Sequence, residues 1–159
     1  VHAKMALHSG EVVAGDMGSA LKSNYTVLGE PVATAERLER ANRLYGTDLL
    51  VSGETQRRAG EEFVFRELDT VTLGAGPQSL HQLVCRRGEV PPALVPVLQG
   101  WAEALARVRR RDFAGALQFF EKHAVVDPVS ARWAERVRGY QASPPPPDWD
   151  GRGDLRRPG

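Results

Sequence analysis

The sequence predicts an α/β unit followed by an all-α segment and a disordered tail. Three observations carry that prediction. Short β-branched or alternating stretches interleave with helical ones up to about Cys85, a Gly-, Glu- and Pro-containing stretch follows, and from there to about residue 142 the apolar residues recur at helical spacing. Of the 159 residues 42% are hydrophobic and 26% charged, a composition that excludes a wholly disordered chain. Balanced charge, 21 basic against 20 acidic side chains, argues against a dedicated nucleic-acid binder.

Strands are expected at 3–8, 11–14, 24–28, 48–51, 63–68, 70–73 and 80–85, each bounded by Gly, Asp, Asn or Ser. The first two are expected to meet in a hairpin at Ser9-Gly10. The clearest helix starts at Glu30 and Pro31, repeats through Val32, Ala35, Leu38, Ala41 or Asn42 and Tyr45, and stops at Gly46. A shorter helix is expected at 54–59. The alternation beginning at His2 has no capping lead-in, so the chain is expected to start inside a domain.

Residues 1–87 are thus read as one unit and 88–93 as a linker. Residues 94–142 are read as helices at 94–110, 113–126 and 130–140, with Trp101, Leu105 and Val108, then Ala116, Leu117 and Phe120, then Trp133, Val137 and Tyr140 on their apolar faces. Ala116, Phe120 and Pro128 have the spacing of the second half of a tetratricopeptide repeat, although a single such unit also reads as a plain helical cap. The tail at 143–159 opens on four consecutive prolines and is expected to be extended and disordered.

Cys85 is alone, so no intramolecular disulfide forms, which suits a reducing compartment and a cytoplasmic location. No run approaches the ~20 apolar residues that span a bilayer. His2, His8, His81 and His123 lack metal-ligand spacing. Arg109-Arg-Arg111 closes a predicted helix, where cations complement the dipole. The Arg152-Gly-Asp154 tripeptide is read as chance.

The chemistry rests on an ordered series: Leu7-His-Ser-Gly-Glu-Val-Val-Ala-Gly-Asp-Met-Gly-Ser19, then Asn24-Tyr-Thr-Val-Leu-Gly-Glu-Pro-Val-Ala-Thr-Ala-Glu-Arg-Leu-Glu39, then Asn42-Arg-Leu-Tyr-Gly-Thr47, Leu50-Val-Ser52, Phe63 and Arg66-Glu-Leu-Asp69. The series resembles the C-terminal half of the class III adenylyl/guanylyl cyclase catalytic domain, an α+β ferredoxin-like fold, over Leu7 to about Cys85. The helical appendage with its Pro-Pro-Pro-Asp-Trp-Asp-Gly151 ending resembles that of bacterial cyclases with CHASE-type sensors. The resemblance implies an N-terminally truncated domain, cytoplasmic either by itself or as the cytoplasmic part of a membrane-anchored sensor protein.

The family's reaction, ATP to cyclic AMP and pyrophosphate, uses Mg or Mn held by carboxylates that lie N-terminal to Val1, so the metal ligands are expected to be outside this chain. Glu11 and Asp16 are poor replacements, because a magnesium site needs converging carboxylates. The remaining half-site is donated across a dimer interface, which implies a cyclase homodimer or a competent cyclase partner, with ATP or GTP as substrate. Thr26 falls on the position that reads the purine edge, and a hydroxyl suits that role; a space-filling strand threonine is the plain alternative. Arg37 falls on the transition-state arginine, the plain alternative being an exposed helix arginine paired with Glu36 or Glu39.

Two departures stand out. Ala33 replaces the family's Asn one turn before that arginine, with Glu30 for Asp a milder change, and Leu73-Gly-Ala-Gly76 lacks the lysines of the family's Lys-Gly-Lys element. The expectation is therefore a partial adenylate cyclase that is silent alone, with a non-catalytic pseudo-cyclase dimerisation module as the alternative.

Overall fold

The computed structural model describes residues 3–19, 22–73 and 76–155. Expectations placed on His2, Gly74, Ala75 and the last four residues lie outside them. Along the chain run β1 (Met5–Leu7), β2 (Val13–Ser19), β3 (Lys22–Leu28), α1 (Glu30–Tyr45), β4 (Leu49–Ser52), α2 (Gly53–Arg58), β5 (Phe63–Leu73), β6 (Gly76–Arg86), α3 (Val95–Arg109), α4 (Phe113–His123), α5 (Pro128–Ala142) and β7 (Gly153–Asp154). The described strands form a five-stranded sheet in the order β1-β4-β6-β5-β7 and a separate β2-β3 ladder.

The expected hairpin at Ser9-Gly10 is not formed. β1 instead pairs in parallel with β4, Ala6 opposite Leu50, and the antiparallel hairpin is β2 with β3, Gly15 opposite Thr26. Long-range contacts decide this. The Asn42 amide donates to the Met5 carbonyl at 2.8 Å, and the Met5 amide donates to Asp48 at 2.8 Å, which holds β1 beside β4. A Cβ on Gly10 would sit 2.5 Å from Pro31 Cγ, so the Ser9-Gly10 segment is pressed against the start of α1. Parallel partners need a crossover, and β2, β3 and α1 supply it.

Helix α1 follows its sequence signals. Pro31 lies in its first turn, and Gly46 closes it in the left-handed conformation at φ 68. Thr34, Leu38, Ala41, Asn42 and Tyr45 make its buried face. The short helix α2 is capped by Ser52, whose hydroxyl accepts from the Thr55 amide at 3.3 Å.

The strands expected at 63–68 and 70–73 are one strand, β5, with a register irregularity between Glu67 and Asp69 opposite β6. A bulge resets the side-chain alternation. Arg66 and Leu68 before it and Asp69 and Val71 after it are therefore all buried, at 4%, 0%, 2% and 0% exposure.

The three C-terminal helices pack over that sheet face. One apolar cluster runs from Leu38, Leu50, Leu68 and Leu80 through Trp101, Leu105 and Phe120 to Trp133 and Val137. Phe120 stacks on Trp133 with centroids 5.6 Å apart. Two ion pairs cross the same contact. Arg66 Nη1 donates to Asp127 Oδ2 at 2.8 Å, and Arg136 Nη1 to Asp69 Oδ2 at 2.8 Å, so β5 and α5 exchange charges in both directions.

The tail departs from the expected disorder over its described part. Trp149 packs on Tyr140 and Phe113, and Gly153–Asp154 pairs with Val71 and Thr72 at the outer edge of β5. No described helix is long and apolar enough to cross a membrane.

Candidate functional site

The sequence-predicted site residues lie on the β2-β3 hairpin and on α1. Thr26 is half-buried on β3, facing Gly15 across the ladder. Ala33 and Arg37 lie one turn apart on α1, flanking its buried stripe. Arg37 is exposed and has no ion pair among the described residues. Its neighbour Glu36 is taken by Arg40, at 2.5 Å, so the pairing with Glu36 offered by the plain alternative is not formed. No hydrogen bond joins Thr26 to Arg37 among the described residues.

Glu30, at the start of α1, accepts from the buried Thr34 hydroxyl at 2.6 Å, which directs its carboxylate to its own helix. Glu11 and Asp16 are exposed, and among the described residues no three His, Cys, Asp or Glu side chains group as metal ligands. These carboxylates do not fit a divalent-cation site, which needs several oxygens converging on one point. Of the two glycines at 74 and 76, where the resemblance leads one to expect lysines, Gly76 opens β6 and brings no charge.

On the other flank of α1 an open cleft of about 540 Å³ is lined by His8, Ser9, Val12, Val27, Pro31 and Val32. Its polar rim is bonded to the β4-α2 corner: His8 Nδ1 lies 2.8 Å from Ser52 Oγ, and Ser9 Oγ lies 2.9 Å from Thr55 Oγ1. Those bonds tie the β1-β2 connection to α2. Neither Thr26, Ala33 nor Arg37 lines the cleft.

His81 on β6 lies 3.1 Å from Ser79 Oγ through Nε2. Burial pushes its imidazole below the ordinary value, Glu67 opposing and Arg57 adding to the effect. A depressed histidine stabilises the fold above the unfolded-state value of 6.5, and that contribution is lost as pH falls below it. His81→Gln is expected to flatten the decline of stability as pH falls below about 6.5, measured by urea denaturation at several pH values; an unchanged slope would assign that decline to other groups.

Sequence reasoning missed the most strongly organised polar groups. Tyr45 donates to Asp69 Oδ2 at 2.7 Å, the Thr70 amide donates to Asp69 Oδ1 at 2.8 Å, and the Arg136 guanidinium lies 4.6 Å from the Trp133 ring. Burial and then the Asp69 charge push the Tyr45 hydroxyl well above its ordinary value, so it stays a donor. The guanidinium of Arg66 faces Trp101 at 4.4 Å. Arg66-Glu-Leu-Asp69 was visible as a motif, but its partners on α5 lie some sixty residues away.

No protein-family model matches the chain. Adenylate cyclase 1 of Rhizobium meliloti (strain 1021) is 36% identical over 67 residues, 42% of this chain and 10% of that protein. An uncharacterized protein of Mycobacterium tuberculosis (strain ATCC 25618 / H37Rv) is 39% identical over 80 residues, 49% of this chain and 14% of its own length. Among solved structures, a bacterial light-regulated adenylyl cyclase aligns at 27% identity with a TM-score of 0.42, over 46% of this chain and 21% of that one. The chain thus spans 10% and 14% of the two curated relatives. The sequence similarity supports a cyclase-like domain in the matched part.

Proposed function

We propose that this chain supplies the C-terminal half of a class III nucleotidyl cyclase site, acting on ATP only together with a partner that brings the metal-binding half. The observation that carries the reading is Arg37, exposed and without an ion pair among the described residues, inside the motif series that resembles the class III cyclases. In the reaction the ribose 3′-oxygen loses its proton and attacks the α-phosphorus. A new phosphoester bond forms as the bond to pyrophosphate breaks. A planar, permanently charged guanidinium suits the charge that builds on the phosphoryl oxygens in that transition state. Thr26 would meet the purine edge.

The mostly exposed β2-β3 hairpin, with Val13 and Tyr25 at 69% and 73% exposure, supports a cyclase-domain partner on this side, either a second copy or a competent cyclase. The buried Ala116 and the Phe120-Trp133 stack between α4 and α5 support a tetratricopeptide-like appendage at 94–142, following the linker at 88–93. A cytoplasmic placement, within or apart from a sensor protein, belongs to the same reading.

The test mixes the purified chain with a cyclase domain that retains its metal-binding half but carries an inactivated arginine position, and follows cyclic AMP. Activity is expected to appear on mixing and to fall about 100-fold with Arg37→Ala. No activity with either form would remove the catalytic reading. The second reading, a non-catalytic pseudo-cyclase module, is favoured by Ala33, which offers no hydrogen bond, and predicts association with that partner but no cyclic AMP.

A further inference from the structure

We propose that residues 143–155 form a detachable strap, caught by Arg111, that opens as a unit and uncovers the Tyr45-Asp69-Arg136 cluster and the outer edge of β5. The proposal is independent of the cyclase reading and starts from a backbone irregularity.

Helix α3 ends in a double closure. The Asp112 amide donates to the Arg107 carbonyl at 2.9 Å, and the Arg111 amide donates to Val108 at 3.0 Å. That pattern puts Arg111 in the left-handed slot usually held by glycine, and its φ of 65 makes it the one described non-glycine residue with positive φ. An arginine there is disfavoured by its Cβ, a local cost that the contacts of its side chain offset.

That side chain reaches the tail. Arg111 Nη1 donates to the Pro145 carbonyl at 3.0 Å, Nη2 donates to the Pro146 carbonyl, and the guanidinium lies 5.8 Å from the Trp149 ring. Prolines 144–147 have no amide hydrogens, so this stretch can be held only through its carbonyls or its rings. A two-pronged guanidinium is suited to catch two successive carbonyls.

Beyond the catch, the strap is bonded mostly to itself. The Trp149 amide donates to Pro146 at 3.0 Å and its indole to Arg152 at 2.9 Å. Its hold on the body is the aromatic contact with Phe113 and Tyr140, Leu155 against the edge of the apolar core, Gly151 against Arg109, and the two-residue pairing of β7 with β5. Such a short ladder belongs to the low-stability end of a fold. Yet what it covers is buried charge: a Cβ on Gly153 would lie 2.6 Å from Asp69 Oδ2 and 3.0 Å from Arg136 Nη2. The strap backbone therefore lies directly on the ion pair, and a glycine is what lets it close.

Hydrogen exchange on the full chain tests this. In the wild type the amides of residues 149–155 are expected to exchange on the order of tenfold or more faster than those of β6, by local opening. Arg111→Gly removes the catch and relieves the backbone at once. It is expected to speed exchange in the strap on the order of tenfold again while the melting temperature holds or rises. Gly153→Val, with Arg111 intact, should release β7 with the same exchange signature. Strap amides that open only with β6, or an Arg111→Gly variant that is unchanged in exchange or globally unfolded, would overturn the proposal. So would global unfolding of Gly153→Val.

Discussion

Asp127→Ala is expected to destabilise the fold by about 3–5 kcal/mol, because it strands a buried guanidinium. Asp127 accepts from Arg66 Nη1 at 2.8 Å and Nη2 at 3.1 Å, and caps α5 by accepting from the Ser130 amide at 3.0 Å and hydroxyl at 2.6 Å. Both side chains of the pair are nearly inaccessible, at 2% and 3%. After the substitution Arg66 keeps Gln82 and the Trp101 face but has no counter-charge. Urea unfolding checks the expectation; a loss below about 1 kcal/mol, the scale of the cap alone, would mean that water reaches Arg66. Replacing both partners, Arg66→Met with Asp127→Leu, should recover most of the loss, since a dry apolar pair leaves no unpaired charge.

The same pair sets an acid limit. Burial pushes the Asp127 carboxyl up, but Arg66 and then Ser130 outweigh it and hold it below the ordinary 3.8. A depressed carboxyl contributes above its unfolded value and loses that contribution as pH falls through the folded one. The β5-α5 clasp should therefore persist until strongly acidic conditions.

Ala33→Asn is expected to raise cyclic AMP formation on the order of 100-fold to 1000-fold when the chain is paired with a partner bearing the metal-binding half. Ala33 is half-buried on the helix that carries Arg37 and lies one turn before it. An amide there would add an oriented hydrogen bond next to the guanidinium, at a helix-propensity cost of about 0.5–0.7 kcal/mol. Steady-state rates with wild type and Ala33→Asn side by side decide the point. A rate unchanged by the substitution would move the lesion elsewhere, to the uncharged glycines of the 73–76 element or to the partner.

Local signals were legible where the chemistry is local. Pro31 and Gly46 bracket α1 as their backbone preferences require, and the apolar stripe through Leu38 and Tyr45 is the face that is buried. The break at Asp69 was legible as a break, but whether it separated two strands or bulged one depends on β6, which pairs on past it after a register shift.

Partner choice was not legible. Ser9-Gly10 is a plausible hairpin turn, and only Asn42 reaching the Met5 carbonyl and Pro31 filling the space at Gly10 turn β1 toward β4. The arginine that sequence reasoning valued most, Arg37, lies exposed without an ion pair among the described residues, while Arg66 and Arg136 are held by carboxylates from distant parts of the chain. The tail composition reads as disorder until Arg111 and Phe113 are placed beneath it.

The sequence by itself determined the helices, the two ends of α1 and the cyclase-like motif, because each depends on residues within a turn or two of one another. Tertiary structure alone decided which strands pair, which arginines are buried and where the tail lies. Hydrogen bonds and ion pairs across forty to seventy residues have no local signature, and a buried charge is tolerated only where the fold delivers its counter-charge.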